Sequence, residues 1–154
     1  MSKKNEIKLT TRGRYAVMAL VDLAQNAAGR PVPLSDLAER GNISLSYLEQ
    51  LFAGLRRGGL VISHRGPGGG YRLSRAAKDI LIADIMNAAE DCAPARRVSG
   101  TSPANDVHLP THALWSHIGA LLYASLREVS LEDVLQDRIA KQAHATQSIE
   151  RKEG

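Results

Sequence analysis

The stretch LSDLAERGNISLSYLEQLFAGL, residues 34–55, decides the fold. Residues 35–40 read as a short helix with Leu37 and Ala38 turned inward. Gly41-Asn42-Ile43-Ser44 is the break, because glycine and asparagine both tolerate positive φ. Ile43 is placed to plug the angle between the helices. A second helix is expected over residues 45–57, where Leu48, Leu51, Phe52 and Leu55 recur at i, i+3, i+4 and i+7 on one face. A short helix, a tight turn containing glycine and a longer helix make a helix-turn-helix.

The flanking sequence extends this unit. Gly58-Gly59 ends the second helix, and residues 60–65 and 71–74 are β-prone. Between them lies Gly66-Pro-Gly-Gly-Gly70, the composition of a long hairpin tip. A helix-turn-helix followed at once by a hairpin is a winged helix. Upstream, residues 11–28 predict a helix capped by Thr10 or Thr11 and apolar on nearly every face, hence central and buried. Gly29 fits its end, and Pro31 and Pro33 hold the following residues extended.

Downstream, residues 81–89 predict a short helix, and residues 90–110 lose periodicity altogether. A loop of that length is usually functional or disordered. A long helix is expected over residues 111–129. Its Leu114, Ile118, Leu121, Leu122, Ser125, Leu126 and Val129 fall at offsets 0, 4, 7, 8, 11, 12 and 15. This continuous stripe either pairs with the same helix of a second subunit or packs on its own winged helix. Ser130 caps a final helix to about residue 140, and the polar tail follows. The expected class is mainly α with a small β-hairpin wing. The chain divides into a DNA-binding domain (8–80), a short helix and loop (81–110), a dimerisation helix with a short C-terminal helix (111–140) and a tail (141–154).

Composition limits the function. Aromatic residues supply 4% of the chain, so the core is aliphatic. No run of 18 apolar residues exists to span a bilayer, and the N-terminus lacks the apolar stretch of a signal peptide, so a cytoplasmic protein without membrane contact is expected. Residues 1–80 hold 13 Lys/Arg against 6 Asp/Glu, whereas residues 81–154 hold 7 against 10. A polyanion such as double-stranded DNA should therefore dock on the N-terminal half. The single cysteine, Cys92, permits no internal disulfide, leaving a buried bystander, a redox thiol or a metal ligand. Cys92 and His112 lack the orienting acid and oxyanion-hole pattern of a nucleophile and its base, so an enzyme is not expected. A winged helix serving only protein–protein contact is a further alternative, separable by salt dependence.

A recognition helix presents its N-terminal residues to base edges. Here these are Ser44, Ser46, Tyr47, Glu49 and Gln50. Glutamine can bond adenine bidentately, glutamate accepts from cytosine N4, and serine serves either role. Ser46-x-x-Glu49 also has the spacing of a capping box, which would spend both side chains on backbone N–H groups, unless Ser44 is the cap. In the wing, Arg65 beside Gly66 and Pro67 suits entry into a minor groove. Arg12, Arg14, Arg56, Arg57 and Arg72 suit phosphate contact, which sets affinity and salt dependence.

Four blocks of the chain together resemble the IscR-type family of iron–sulfur cluster-sensing transcription regulators. They are KLTTRGRYAV (8–17), ISLSYLEQLF (43–52), RGPGGGY (65–71) and THALW (111–115). The likeness spans residues 8–135. It implies a homodimer with a winged-helix reader, a long dimerisation helix and a [2Fe-2S] cluster in the loop between them. It also implies control of genes for cluster assembly or iron handling. Ser46, Glu49 and Gln50, with Arg65 in the wing, match the family's base readers. The family usually supplies three cysteines and a histidine to the cluster. Here Cys92 is the one cysteine, His112 matches the histidine, and Leu109 stands where a cysteine is expected. His108, Asp91, Glu90 and Asp106 are the substitutes at hand, and the partner subunit could add others. Either an atypically ligated cluster is retained, or it is lost and the loop senses through the thiol or a small molecule.

Overall fold

A computed structural model describes residues 10–91 and 110–140 of the 154. The first element, α1 (Thr11–Asn26), starts where the Thr10 hydroxyl accepts from the Gly13 N–H at 3.2 Å. Such a cap satisfies one of the orphan donors of the first turn. Its Ala16, Ala19, Leu20 and Leu23 are buried, and the small residues among them let neighbouring helices approach closely. The helix stops two residues short of the expected end, because Ala28 and Gly29 both take positive φ.

Next come α2 (Leu34–Gly41) and α3 (Leu45–Arg57), the two helices of the helix-turn-helix. Asn42 adopts the left-handed conformation (φ 49°, ψ 45°), and the Ile43 N–H reaches back to the Ala38 carbonyl at 3.0 Å. This closes the turn and sends α3 off at an angle. Arg40 of α2 grips Asp22 of α1 through two nitrogens, at 2.7 and 3.0 Å to Oδ1, fixing one helix against the other. The hydrogen bond to Asp22 raises the Arg40 pKa above its ordinary value.

The wing is β1 (Val61–His64) paired antiparallel with β2 (Gly70–Leu73), with Ile62 opposite Arg72 and His64 opposite Gly70. Val32 adds a third edge: its N–H and carbonyl exchange bonds with those of Tyr71, both at 2.8 Å. The chain can approach this closely only because residue 70 is glycine. A Cβ there would lie 2.3 Å from the Val32 carbonyl, and its φ of 149° disfavours any other residue. Phe52 of α3 meets the Tyr71 ring edge-on at 4.9 Å, so the wing is packed on the recognition helix itself.

A 3₁₀ turn (Ala77–Asp79) leads into α4 (Ile82–Glu90), which packs against both α1 and α3. The core is aliphatic apart from Phe52: Leu20, Leu23, Leu48, Leu51, Leu55, Ile80 and Ile85 are all fully buried. Each such side chain contributes roughly 1.5–3 kcal/mol over an exposed one. After the residues outside the description comes α5 (Pro110–Leu126), then α6 (Leu131–Leu135). Leu131 is fully buried in the same core, and its N–H bonds the Ile80 carbonyl at 2.8 Å. Two expected ends shift here. The long helix stops before Val129, whose carbonyl accepts from Ile82 N–H, and α6 is broken by Asp137 at φ 53°.

The α5 stripe divides into two parts. Tyr123 and Leu126, with Val129 beyond the helix, pack against the core. Leu114, Trp115, Ile118, Leu121 and Leu122 are exposed. Packing on the chain's own winged helix therefore accounts only for the C-terminal end of the stripe among the described residues.

Candidate nucleic-acid interface

The competition between the two serines is decided at the start of α3. Ser44 is the N-cap: its φ and ψ are extended (−62°, 139°), and its hydroxyl accepts from the Tyr47 N–H at 3.3 Å. Ser46 and Glu49 are therefore not held in a capping box. Ser46, Glu49 and Gln50 are all exposed, and among the described residues no hydrogen bond engages the Glu49 or Gln50 side chain. Spacing of three and four residues puts them on one face. The opposite face, Leu48, Leu51, Phe52 and Leu55, is fully buried. The helix thus offers an unsatisfied donor and acceptor set on a rigid support, the arrangement base-edge recognition needs.

Ser44 is exposed, and its hydroxyl, while accepting from the backbone, keeps its own O–H as a donor. Tyr47 is half-buried and meets Tyr15 edge-on at 5.8 Å between ring centroids. The wing tip carries exposed Arg65, Gly66 and Pro67. Its turn closes through Gly69 N–H to the Gly66 carbonyl at 2.9 Å, with a bare backbone flanking the arginine. Arg14, Arg56 and Arg72 are exposed, as phosphate-contacting cations should be. Arg12 is different. It is half-buried, its guanidinium lies 5.7 Å from the Tyr47 ring centroid, and its Nε donates to the Ala89 carbonyl at 3.1 Å. Arg57 also has an interaction within the chain.

The candidate metal ligands are spread over several settings. Cys92, Asp106 and His108 lie outside the described residues, and His112 falls in the first turn of α5. Asp91 is exposed at the end of α4. Glu90 is half-buried, and its carboxylate accepts a hydrogen bond from the Thr10 hydroxyl, so it already has a structural partner. Among the described residues no three His, Cys, Asp or Glu side chains gather as a metal site. The set holds one thiolate, with imidazoles and carboxylates for the rest, whereas Rieske-type clusters keep two thiolates beside two imidazoles. Within that set Asp91 fits better than Glu90. Sequence reasoning missed the contacts of Thr10, Tyr15 and Arg12 with the ends of α3 and α4, since nothing local in the chain signals them.

A helix-turn-helix with a free polar face, backed by a glycine-rich wing, defines a winged-helix DNA-binding transcription regulator. The chain belongs to the Rrf2 family, described as iron-dependent transcriptional regulators, whose model matches residues 9–137. It is 45% identical over 134 residues to the HTH-type transcriptional regulator IscR of Xenorhabdus nematophila, covering 86% of this chain and 81% of that one. The structure of T. potens IscR superposes with a TM-score of 0.64 at 36% identity, over 86% of this chain and 88% of the other. CymR, the global cysteine regulator of B. subtilis, does so at 0.63 and 33% identity, over 84% and 97%. These relatives are regulators and not enzymes. No helix among the described residues is long and apolar enough to cross a membrane.

Proposed function

We propose that the chain is a homodimeric, sequence-specific regulator of iron–sulfur cluster assembly or iron-responsive genes, working in the cytoplasm and responding to cluster status. The observation that carries the DNA-reading part is the free polar face of α3, with Ser44 as cap and Glu49 and Gln50 uncommitted. Gln50 would bond adenine, Glu49 would accept from cytosine N4, and Ser46 would adjust to either. Arg65 would enter the minor groove beside Gly66 and Pro67, while Arg14 and Arg56 neutralise phosphates. The exposed half of the α5 stripe supports a dimer, which would set two recognition helices about 34 Å apart on successive major-groove faces.

The sensing part rests on family membership and on the donor chemistry of residues 91–112. Cys92, His108 and His112, with Asp91 or Asp106, would hold a [2Fe-2S] cluster. A bound cluster supplies a state that follows iron supply and oxidation. The chain's own part is to convert occupancy of that segment into a different operator preference. A tenfold preference needs only about 1.4 kcal/mol of differential binding.

Purification without oxygen, with the visible spectrum and with iron and acid-labile sulfide per chain, tests the sensing part. The expected result is charge-transfer bands with near-stoichiometric iron and sulfide, lost in Cys92→Ala. A colourless, iron-free protein that resists reconstitution would overturn it and leave the DNA-reading part standing. That outcome would favour a second reading, motivated by the single cysteine and the likeness to CymR: a regulator sensing thiol oxidation or a small molecule.

A further inference from the structure

We propose that Arg12 is a positioning residue for DNA reading and not a phosphate contact, fastening the first turn of the recognition helix to the last turn of α4. The inference rests on the DNA-binding reading above. Arg12 sits in the first turn of α1, yet its side chain serves two other helices. The guanidinium stacks over Tyr47 at 5.7 Å, within the range of a cation–π contact, and Nε donates to the Ala89 carbonyl at 3.1 Å. That carbonyl belongs to the C-terminal turn of α4, where helix carbonyls are short of donors and the dipole favours a cation. Tyr15 meets the same Tyr47 ring edge-on at 5.8 Å. One residue before α1, the Thr10 hydroxyl donates to Glu90 of the same α4 turn.

Tyr47 lies between Ser46 and Glu49 in the turn that carries the candidate readers. A ring held by both Arg12 and Tyr15 sets the pitch of that turn. Readers a fraction of an ångström out of register would lose bidentate geometry while phosphate attraction persisted. Removing Arg12 should therefore lower discrimination between sequences without lowering general attraction to DNA. A phosphate contact would do the reverse.

The test begins with a duplex that the wild-type protein selects from a random-sequence pool, compared with a scrambled duplex over a range of salt. Arg12→Gln is expected to lower the selected-over-scrambled ratio about tenfold, with scrambled-duplex affinity and salt slope unchanged. In a Tyr47→Leu background it should cost clearly less than in the wild type, because the ring that Arg12 positions is already gone. Arg12→Lys keeps the charge but not the flat fork, and should show the same loss. If melting shows Arg12→Gln to be unfolded, the Lys variant carries the cycle. A salt slope reduced by about 0.9, with equal losses on both duplexes, would make Arg12 a phosphate contact and overturn the proposal. Additive losses with Tyr47→Leu, or an unchanged ratio, would overturn it equally. Failure of the wild type to select any duplex would remove the DNA-binding function and this role together.

Discussion

Helix α3 is amphipathic and α5 is apolar on most of its faces, and they present opposite chemistry to the solvent. In α3 the apolar face is fully buried and the polar face is free. In α5 Leu114, Trp115 and Leu121 stand 51%, 61% and 57% exposed. Leaving each such side chain half in water forgoes about half of the roughly 1.5–3 kcal/mol that full burial contributes. The contrast separates two kinds of partner: α3 is finished internally and offers hydrogen bonds outward, whereas α5 leaves its large apolar side chains in water. The first suits base edges, and the second suits a like helix from a second copy, as proposed.

The largest effect should come from placing a charge on the α5 face. Leu121→Glu is expected to leave the monomer folded, since the side chain is exposed in a single chain, and to weaken self-association on the order of 100-fold. Analytical ultracentrifugation with circular dichroism checks this, and a dimer of undiminished affinity would erase the proposed contrast. On the α3 side, Ser44→Ala removes the cap and should cost about 1 kcal/mol of stability by chemical denaturation. An equal loss from Ser46→Ala instead would mean that the capping box forms after all. Arg56→Ala should reduce the log–log salt slope of DNA binding by about 0.9 per bound subunit, against no change for Leu122→Ala in α5.

The smallest effect lies beyond α5. The Asp133 carboxyl is held below its ordinary pKa, first by the Ser130 backbone N–H and then by the Ser130 hydroxyl. A depressed folded pKa contributes stability above the unfolded value of about 3.9, which disappears as pH falls through the folded pKa. The melting-temperature gap between wild type and Asp133→Asn should thus be small at pH 7 and close on acidification below about pH 4. A gap that widened on acidification would contradict the hydrogen-bonded carboxylate.

Much of α3 could be read in advance because its signals are local. The spacing of Leu48, Leu51, Phe52 and Leu55, with Gly41-Asn42 before and Gly58 after, gives the same bounds, 45–57, as the folded helix. Which serine caps it could not be read, because Ser44 and Ser46 are equal candidates until the turn geometry is known. The third edge of the wing was also hidden. Val32 and Tyr71 meet only through the close approach that Gly70 permits, and neither segment announces the other. Arg12 illustrates the same limit: nothing in its basic segment signals that Tyr47 and the Ala89 carbonyl lie beside it. The α5 stripe was legible as apolar, but its division at Tyr123 depends on where α6 pulls the chain back to the core.

The central claim is that the free face of α3 reads sequence, and Glu49→Ala tests it most directly. Duplexes selected from a random pool by wild type and by the variant would be compared, together with affinity for a scrambled duplex. The account predicts relaxed or altered preference at one or two base pairs per half-site, worth about 1–3 kcal/mol of discrimination, with scrambled-duplex affinity unchanged. Equal losses on selected and scrambled DNA, with the selected sequence unaltered, would contradict it.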